Sequence, residues 1–197
     1  ITKAREIAFI PNVFSGTYTV SDTITHIGTG VFNKTKLTEI IIPYSVTKIS
    51  VGAFDNSDTL TTITFLPMPE GKTAAPLDMH SDAIKDTCKN LSSVTFPARL
   101  QSWGDLEPYK IFSKYKNLET IFVEKSDDAA YQSDENGILL NGKGDTVLYC
   151  PLASKITEYI VPSSVTAIGA NAFNVYVGNV YAPNKSLQLT RLVVHGG

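Results

Sequence analysis

Leu37-Thr-Glu-Ile40-Ile-Ile42 is the first of six segments in this chain that repeat one pattern: an apolar residue, two variable residues, a second apolar residue, one variable residue and a third apolar residue. The segments are short and rich in Thr, Ile, Val and Phe, which favours strands over helices. The other five are Leu60-Thr-Thr-Ile63-Thr-Phe65, Leu91-Ser-Ser-Val94-Thr-Phe96, Leu118-Glu-Thr-Ile121-Phe-Val123, Ile156-Thr-Glu-Tyr159-Ile-Val161 and Val177-Gly-Asn-Val180-Tyr-Ala182.

Two further blocks precede most of these strands and are predicted to point into the same core. The first block reads Ile24xxIle27-Gly28, Val46xxIle49-Ser50, Leu100xxTrp103-Gly104 and Val165xxIle168-Gly169. The second is a small or apolar residue followed by a larger apolar one, as in Val31-Phe32, Ala53-Phe54, Ala83-Ile84, Ile111-Phe112 and Ala172-Phe173. Trp103 occupies the inward position of Ile27, Ile49 and Ile168, so core packing is favoured over a ligand-stacking role.

The spacing of the strands identifies the architecture. They begin at residues 37, 60, 91, 118, 156 and 177, so the basic unit is about 22 residues with insertions, within the range of about 20 to 29 residues of leucine-rich repeats. The sequence therefore predicts a repeat solenoid. Its coil is expected to be right-handed and rich in β-structure, with a concave parallel sheet and short turns or 3-10 or helical pieces on the convex side.

One solenoid is expected to span residues 1–197, with a hairpin-like insertion at about 125–151. Within it, Gly137 to Tyr149 places two apolar runs around a glycine-rich turn, which is typical of a β-hairpin. Ala4xxIle7xPhe9 matches the strand pattern, so the chain is expected to begin inside a repeat and to be part of a longer protein. Leu189xxLeu192xVal194 is a candidate for one more strand.

With the unit assembled as IxxIGxxAF, a polar turn and LxxIxxP, the chain resembles the BspA-like leucine-rich repeats of bacterial surface proteins. Pro162-Ser-Ser-Val165-Thr-Ala-Ile168-Gly169-Ala-Asn-Ala172-Phe173 is close to that family's consensus. The resemblance implies secretion, display at the cell surface and binding to protein or glycan partners. It implies no catalytic residues, and it agrees with an interpretation of Cys88 as a buried structural thiol; Cys150 is likewise expected to be buried and free.

The sequence contains no motif typical of a catalytic, cofactor or metal site. The 17 lysines and arginines are scattered along a chain of net charge −2, so nucleic acid is not expected as a partner, and no apolar run approaches the length of a membrane span. The histidines, His26, His80 and His195, do not form a triad pattern, and Glu39 and Glu158 lie too many repeats apart for a paired-carboxylate site. We predict no enzyme activity, no cofactor and no metal.

Acidic residues cluster at 127–128 and 134–137. A solvated turn is the main interpretation of this cluster, and a calcium site is a minor alternative.

The predicted binding site lies on the outward side of the strands, where side chains alternate between core and solvent. Its candidate ligand-binding residues are Glu39, Ile41, Phe122, Glu158, Ile160 and Tyr181. Phe122, Ile160 and Tyr181 share one register and are expected to form a contiguous apolar patch, unless the 125–151 hairpin folds over it. The chain is thus expected to be an extracellular adhesion or protein-binding module for a host or microbial surface protein, with a glycan as an alternative ligand. A rigid spacer for a neighbouring domain is the competing hypothesis, and carbohydrate processing is a third.

Overall fold

A computed structural model describes residues 5–73, 75–84, 87–103, 107–177, 180–183 and 187–194, and for residues 174–183 it describes the backbone alone. Five parallel strands form one sheet, called here the front sheet. Its strands, in spatial and chain order, are β2 (Ser15–Thr19), β4 (Lys36–Ile42), β6 (Thr62–Phe65), β8 (Ser93–Phe96) and β10 (Thr120–Val123). Across the described residues, no helix has the length and apolar character needed to cross a membrane.

Five shorter strands alternate with these along the chain and form a second parallel sheet, called the back sheet. They are β1 (Glu6–Ile7), β3 (His26–Ile27), β5 (Lys48–Ile49), β7 (Leu77–Met79) and β9 (Leu100–Ser102). Ile7, Ile27, Ile49 and Met79 stand in register across four of them. Each coil therefore contributes one strand to each sheet, which confirms the predicted solenoid. The back sheet and one short helix, α1 (Pro108–Phe112), occupy the side where turns or helical pieces were expected.

The core lies between the two sheets and consists of the predicted inward residues. Ile27, Ile40, Phe54 and Ile63 are completely buried, and the ring of Phe54 stacks on that of Phe32 at a centroid distance of 5.3 Å. Trp103 is also buried and packs edge-on against Phe96 and Phe112, with its indole 4.2 Å from the Tyr131 ring. The core role predicted for Trp103 is confirmed.

Ile168 is a correction to the predicted core. Its side chain is 42% exposed, although its sequence position matches Ile27 and Ile49. The strand that carries it, β15 (Ala167–Ile168), is the last strand of its sheet. Ile27 and Ile49 have paired strands on both sides, whereas Ile168 has one on one side only.

A row of buried donors ties each turn to the coil before it. The Ser57 hydroxyl donates to the Phe32 carbonyl over 2.7 Å, the Cys88 thiol donates to the Phe54 carbonyl over 2.9 Å, and the Tyr115 hydroxyl donates to the Ile84 carbonyl. Buried carbonyls are costly when left unpaired, so these bonds stabilise the stacking of coils. Cys88 and Cys150 are both buried thiols outside any disulfide, as predicted, and burial raises the pKa of Cys150 to about 12.

The 125–151 insertion forms a three-stranded unit. Its strands are β11 (Tyr131–Ser133), β12 (Leu139–Asn141) and β13 (Thr146–Tyr149), and each pairs antiparallel with the next. The pairing of β12 with β13 is the hairpin that the sequence indicates. β13 then pairs parallel with β15, so the insertion also takes the place of a back-sheet strand in its coil.

The last coil differs from the prediction. Segment 177–182 was predicted to be a parallel repeat strand, but Val177 and residues 180–182 belong to two strands that pair antiparallel, β16 (Asn174–Val177) and β17 (Val180–Pro183). The strand that follows β14 (Glu158–Ile160) in parallel is instead β18 (Arg191–Val193), with Ile160 opposite Val193. The candidate strand at Leu189 to Val194 is therefore the repeat strand of this coil.

The first coil also differs from the prediction. The segment from Ala4 to Phe9 was assigned to a front-type strand, but Glu6–Ile7 pairs in the back sheet. The front strand of that coil is β2, where Gly16, with φ of 78°, pairs with Leu37 and a register shift follows. The expected leucine is missing from this strand, so the repeat pattern does not reveal it.

Candidate functional site

Two rows of side chains run across the outward surface of the front sheet, which we call the front face. The strand register places Thr17, Glu39, Thr62, Ser93 and Thr120 in one row, and Thr19, Ile41, Thr64, Thr95 and Phe122 in the other. Adjacent strands lie about 4.8 Å apart, so five strands give a surface roughly 20 Å wide. The front face is the predicted face, extended by one strand at the β2 end.

Most residues of the front face are polar and half-buried. Glu39, Ile41, Thr62, Thr64, Ser93, Thr95, Thr120 and Phe122 all retain part of their surface in solvent. Neighbouring strands are linked by side-chain bonds, since the Thr17 hydroxyl donates to the Glu39 carboxylate over 3.0 Å and the Thr120 hydroxyl donates to Ser93 over 3.0 Å. Glu39 is the single charged residue among these two described rows. The result is an ordered array of hydroxyl groups with apolar residues at Ile41 and Phe122.

The predicted patch of Phe122, Ile160 and Tyr181 is not contiguous. β10, which carries Phe122, ends the front sheet, whereas β14, which carries Ile160, belongs to a separate two-stranded sheet with β18. Tyr181 lies in the β16–β17 hairpin, and its side chain is outside the described part of the structure, as is all of Asn179. The prediction that these three residues lie on successive neighbouring strands is therefore wrong.

The insertion interrupts the sheet at this point. The backbone N–H of Ile121 donates to the Gly137 carbonyl over 3.1 Å, and that of Val123 donates to the Ser133 hydroxyl over 3.0 Å. These bonds occupy backbone N–H groups at the edge of β10, where the next repeat strand would otherwise pair. The insertion thus bonds to the edge of β10 through β11 and the turn that follows it, and Phe122 keeps part of its surface in solvent.

Asp134 and Gly137 shape this contact. One Asp134 carboxylate oxygen accepts the backbone N–H groups of Asn136 and Ile138 at 2.9 and 3.0 Å, which fixes the turn. Gly137 then adopts a φ of 72° and lies so close to β10 that an added Cβ would fall 2.8 Å from the Cβ of Thr120. The sequence marks Gly137 as a turn glycine, but its approach to Thr120 could be seen only in three dimensions.

A cleft opens between the insertion and β14, and we call it the hairpin cleft. Its volume is about 320 Å³, and its lining includes Gln132, Asp134, Glu135, Asn136, Ile160 and Ser164. Ile160 is 57% exposed and provides an apolar wall. The front face and the hairpin cleft together are the candidate site, and Ile160 contributes to the cleft instead of to a patch with Phe122.

The repeat pattern and its geometry agree with the comparison to protein families. Residues 2–129 match the model of the BspA type leucine rich repeat region, in six copies. The chain belongs to this family. The assignment covers the front and back sheets and ends at the start of the insertion that carries the hairpin cleft.

Solved structures similar to this BspA-type chain are bacterial. A leucine-rich repeat protein from Eubacterium ventriosum has 22% identity and a TM-score of 0.48 over 89% of this chain and 49% of that one. The pneumococcal vaccine antigen PcpA has 16% identity and a TM-score of 0.42 over 95% and 56%. A leucine rich cell surface protein from Faecalibacterium prausnitzii has 15% identity and a TM-score of 0.30 over 98% and 72%. The chain spans about half the length of the first two, and no curated protein matches it.

The two glutamates of the predicted site, Glu39 and Glu158, both make local contacts in this BspA-type solenoid. Glu39 accepts the Thr17 hydroxyl, whereas Glu158 binds the Arg191 guanidinium at 2.9 Å, on a different sheet. Among the described residues there is no group of three or more potential metal ligands.

His26 contacts both a serine hydroxyl and a carboxylate, the partners that a catalytic triad would need. His26 Nε2 lies 2.9 Å from the Ser50 hydroxyl, and His26 Nδ1 lies 3.8 Å from the Glu6 carboxylate. Near Ser50, the Gly52 N–H donates to the Asp82 carbonyl and the Ala53 N–H donates to the Ser50 carbonyl. We interpret the three side chains as a link across the back-sheet coils. His80 accepts the Asp82 backbone N–H, and His195 lies outside the described residues.

Proposed function

We propose that this chain is a binding module, secreted by a bacterium or displayed on its surface, that holds a protein partner on the front face. The observation that carries the proposal is the outward array in register, with Thr and Ser throughout, one charged residue and apolar residues at Ile41 and Phe122. Membership in the BspA-type family supports the compartment. A solenoid leaves a whole face free for a partner, because each coil contacts only its neighbours.

The composition of the front face favours a protein ligand. Interface cores are poor in charged residues and rich in aromatic anchors, and the rim around them is polar. Phe122 is suitable as an anchor because it is partly exposed at the end of its row and lies next to the insertion. The hairpin cleft, with Ile160 and several carboxylate and amide groups, would receive a side chain that extends beyond the face.

Phe122→Asp is expected to weaken binding of the fluorescently labelled chain to intact host epithelial cells by roughly thirtyfold, since a buried aromatic anchor contributes about 2 kcal/mol or more. The free energy of unfolding should change by less than about 1 kcal/mol because the side chain points away from the core. Binding would be measured by flow cytometry, and stability by denaturant unfolding.

Val51→Asp is the matched control. Val51 lies in a turn after β5, is 37% exposed and is outside both rows, so the variant adds the same charge at another surface. It should bind as the wild type does. Equal loss with both variants would show a nonspecific charge effect. Equal binding by all three proteins, or no binding by the wild type, would contradict the proposal and favour the rigid spacer.

A further inference from the structure

Lysines that are far apart in sequence meet on the turns that lead into β8 and β10. Lys89 and Lys116 are both two residues before the leucine that opens the repeat strand, Leu91 or Leu118. The coil stacks these positions directly, since the Asn117 side-chain amide donates to the Lys89 carbonyl over 2.8 Å. Two like charges are thereby held on adjacent coils, about 4.8 Å apart at the backbone.

A cavity of about 420 Å³ lies at this point, lined by Lys89, Lys114, Lys116 and Asn117. All four residues are exposed. The Lys114 ammonium group is 3.5 Å from the Asp82 carboxylate and is thus partly neutralised. Among the described residues, three lysine ammonium groups therefore stand against the one carboxylate of Asp82. In the next coil Lys155 is matched by Glu119 at 2.8 Å, so the positive character is concentrated at the cavity.

Buried residues hold the lysines in place. Lys89 directly follows Cys88, whose thiol bonds to the Phe54 carbonyl, and Lys114 and Lys116 flank Tyr115, whose hydroxyl bonds to the Ile84 carbonyl. Cys88 and Tyr115 are both fully buried. The backbone therefore keeps the like charges together although they repel each other. A bound anion would relieve this repulsion.

From this geometry we propose that the cavity, called the lysine cavity, binds a polysaccharide that carries sulfate or phosphate esters. Lysines are exposed point charges on flexible stems and do not form the bidentate contacts of arginine, so each contributes little to affinity. A polymer that presents many anionic groups compensates by engaging several lysines at once. The described lining residues include no aromatic ring for base stacking, which favours a polysaccharide over single-stranded nucleic acid. This site is separate from the front face.

The test uses the full chain with immobilised heparin as the sulfated polysaccharide and phosphomannan as the phosphorylated one. At low salt the wild type should bind at least one of them, and the preferred probe identifies the source of the anion. Lys89→Gln with Lys116→Gln should weaken that binding roughly tenfold and reduce its salt dependence, because two charge contacts are lost. Lys89→Arg with Lys116→Arg should retain it.

Lys36→Gln with Lys48→Gln is the matched control, since it removes two exposed lysines away from the cavity and gives the same net charge. It should change binding less than about twofold if the effect is local. Equal loss in both double variants, or no binding of either probe by the wild type, would overturn the proposal. Phe122→Asp should leave this binding unchanged, so the result is independent of the front face.

Discussion

Replacing Phe54 by alanine is expected to lower the free energy of unfolding by about 3 to 5 kcal/mol, one of the two largest effects that the structure predicts. Phe54 is completely buried, its ring stacks on Phe32, and its backbone links successive coils through the bond from Phe54 N–H to the Ala83 carbonyl. A cavity left here would be enclosed between two thin sheets, with little freedom to collapse. Denaturant unfolding followed by circular dichroism measures the change.

Ile63 and Thr64 provide an internal comparison for this prediction. They are neighbours on β6, but Ile63 points into the core and Thr64 belongs to the front face. Ile63→Ala should cost about 2 to 5 kcal/mol, and Thr64→Ala should cost less than about 0.5 kcal/mol. Similar costs for the two variants would show that the inward and outward assignment of the front strands is incorrect.

Gly137→Ala is the second large effect, with an expected loss of about 2 to 4 kcal/mol. Two causes add: the φ of 72° is unfavourable for alanine, and the new Cβ would lie 2.8 Å from the Cβ and 3.1 Å from the Cα of Thr120. Relief of the contact would move the turn away from β10 and break the bond from Ile121 N–H to the Gly137 carbonyl. Thermal or denaturant unfolding measures the loss.

Gly71→Ala separates the two causes. Gly71 has the same φ of 72°, but an added Cβ would meet no atom within 4 Å. Gly71→Ala should lower the free energy of unfolding only by the cost of the positive φ, about 1 to 2 kcal/mol. If Gly137→Ala is no more destabilising than Gly71→Ala, the insertion does not pack against β10 as described, and the hairpin cleft would have another shape.

The regular coils could be predicted from sequence because the burial of apolar side chains at the same positions determines every unit. Leu37, Ile40 and Ile42 are each completely buried, and the pattern they form repeats in β6, β8 and β10. Pro43 and Pro97 mark the ends of the strands that they follow, β4 and β8. Thus the front face from β4 to β10, including Glu39, Ile41 and Phe122, follows from register alone.

The irregular coils could not be predicted in the same way. Met79 occupies the position of Ile49 in the back sheet, but its segment lacks the IxxIG block, so β7 was hidden within an insertion. Val177, Val180 and Ala182 fit the strand pattern, yet Gly178-Asn179 between two apolar runs is also a hairpin signal, and the structure has the hairpin. Alternating residues satisfy both patterns, so periodicity alone could not decide the position of Tyr181.

The lysine cavity shows a further limit of reading charge along the chain. Lys89 and Lys116 are 27 positions apart, so they count as scattered in sequence, although the coil places them side by side. They are neighbours because the coil between them is 27 residues long, which places Lys116 directly beside Lys89. Charge patterns in repeat proteins are therefore meaningful when they are compared at equivalent positions of successive units.

Site-specific photo-crosslinking tests the central claim, that the front face holds a protein partner, most directly. A benzophenone side chain placed at Thr64, in the middle of the face, should crosslink to surface proteins of intact epithelial cells, and the same probe at Val51 should not. Both positions tolerate a larger side chain because both are partly exposed. A protein band captured from Thr64 alone, and lost when Phe122→Asp is added, is the predicted result. Crosslinks from Val51 and not from Thr64 would contradict the claim.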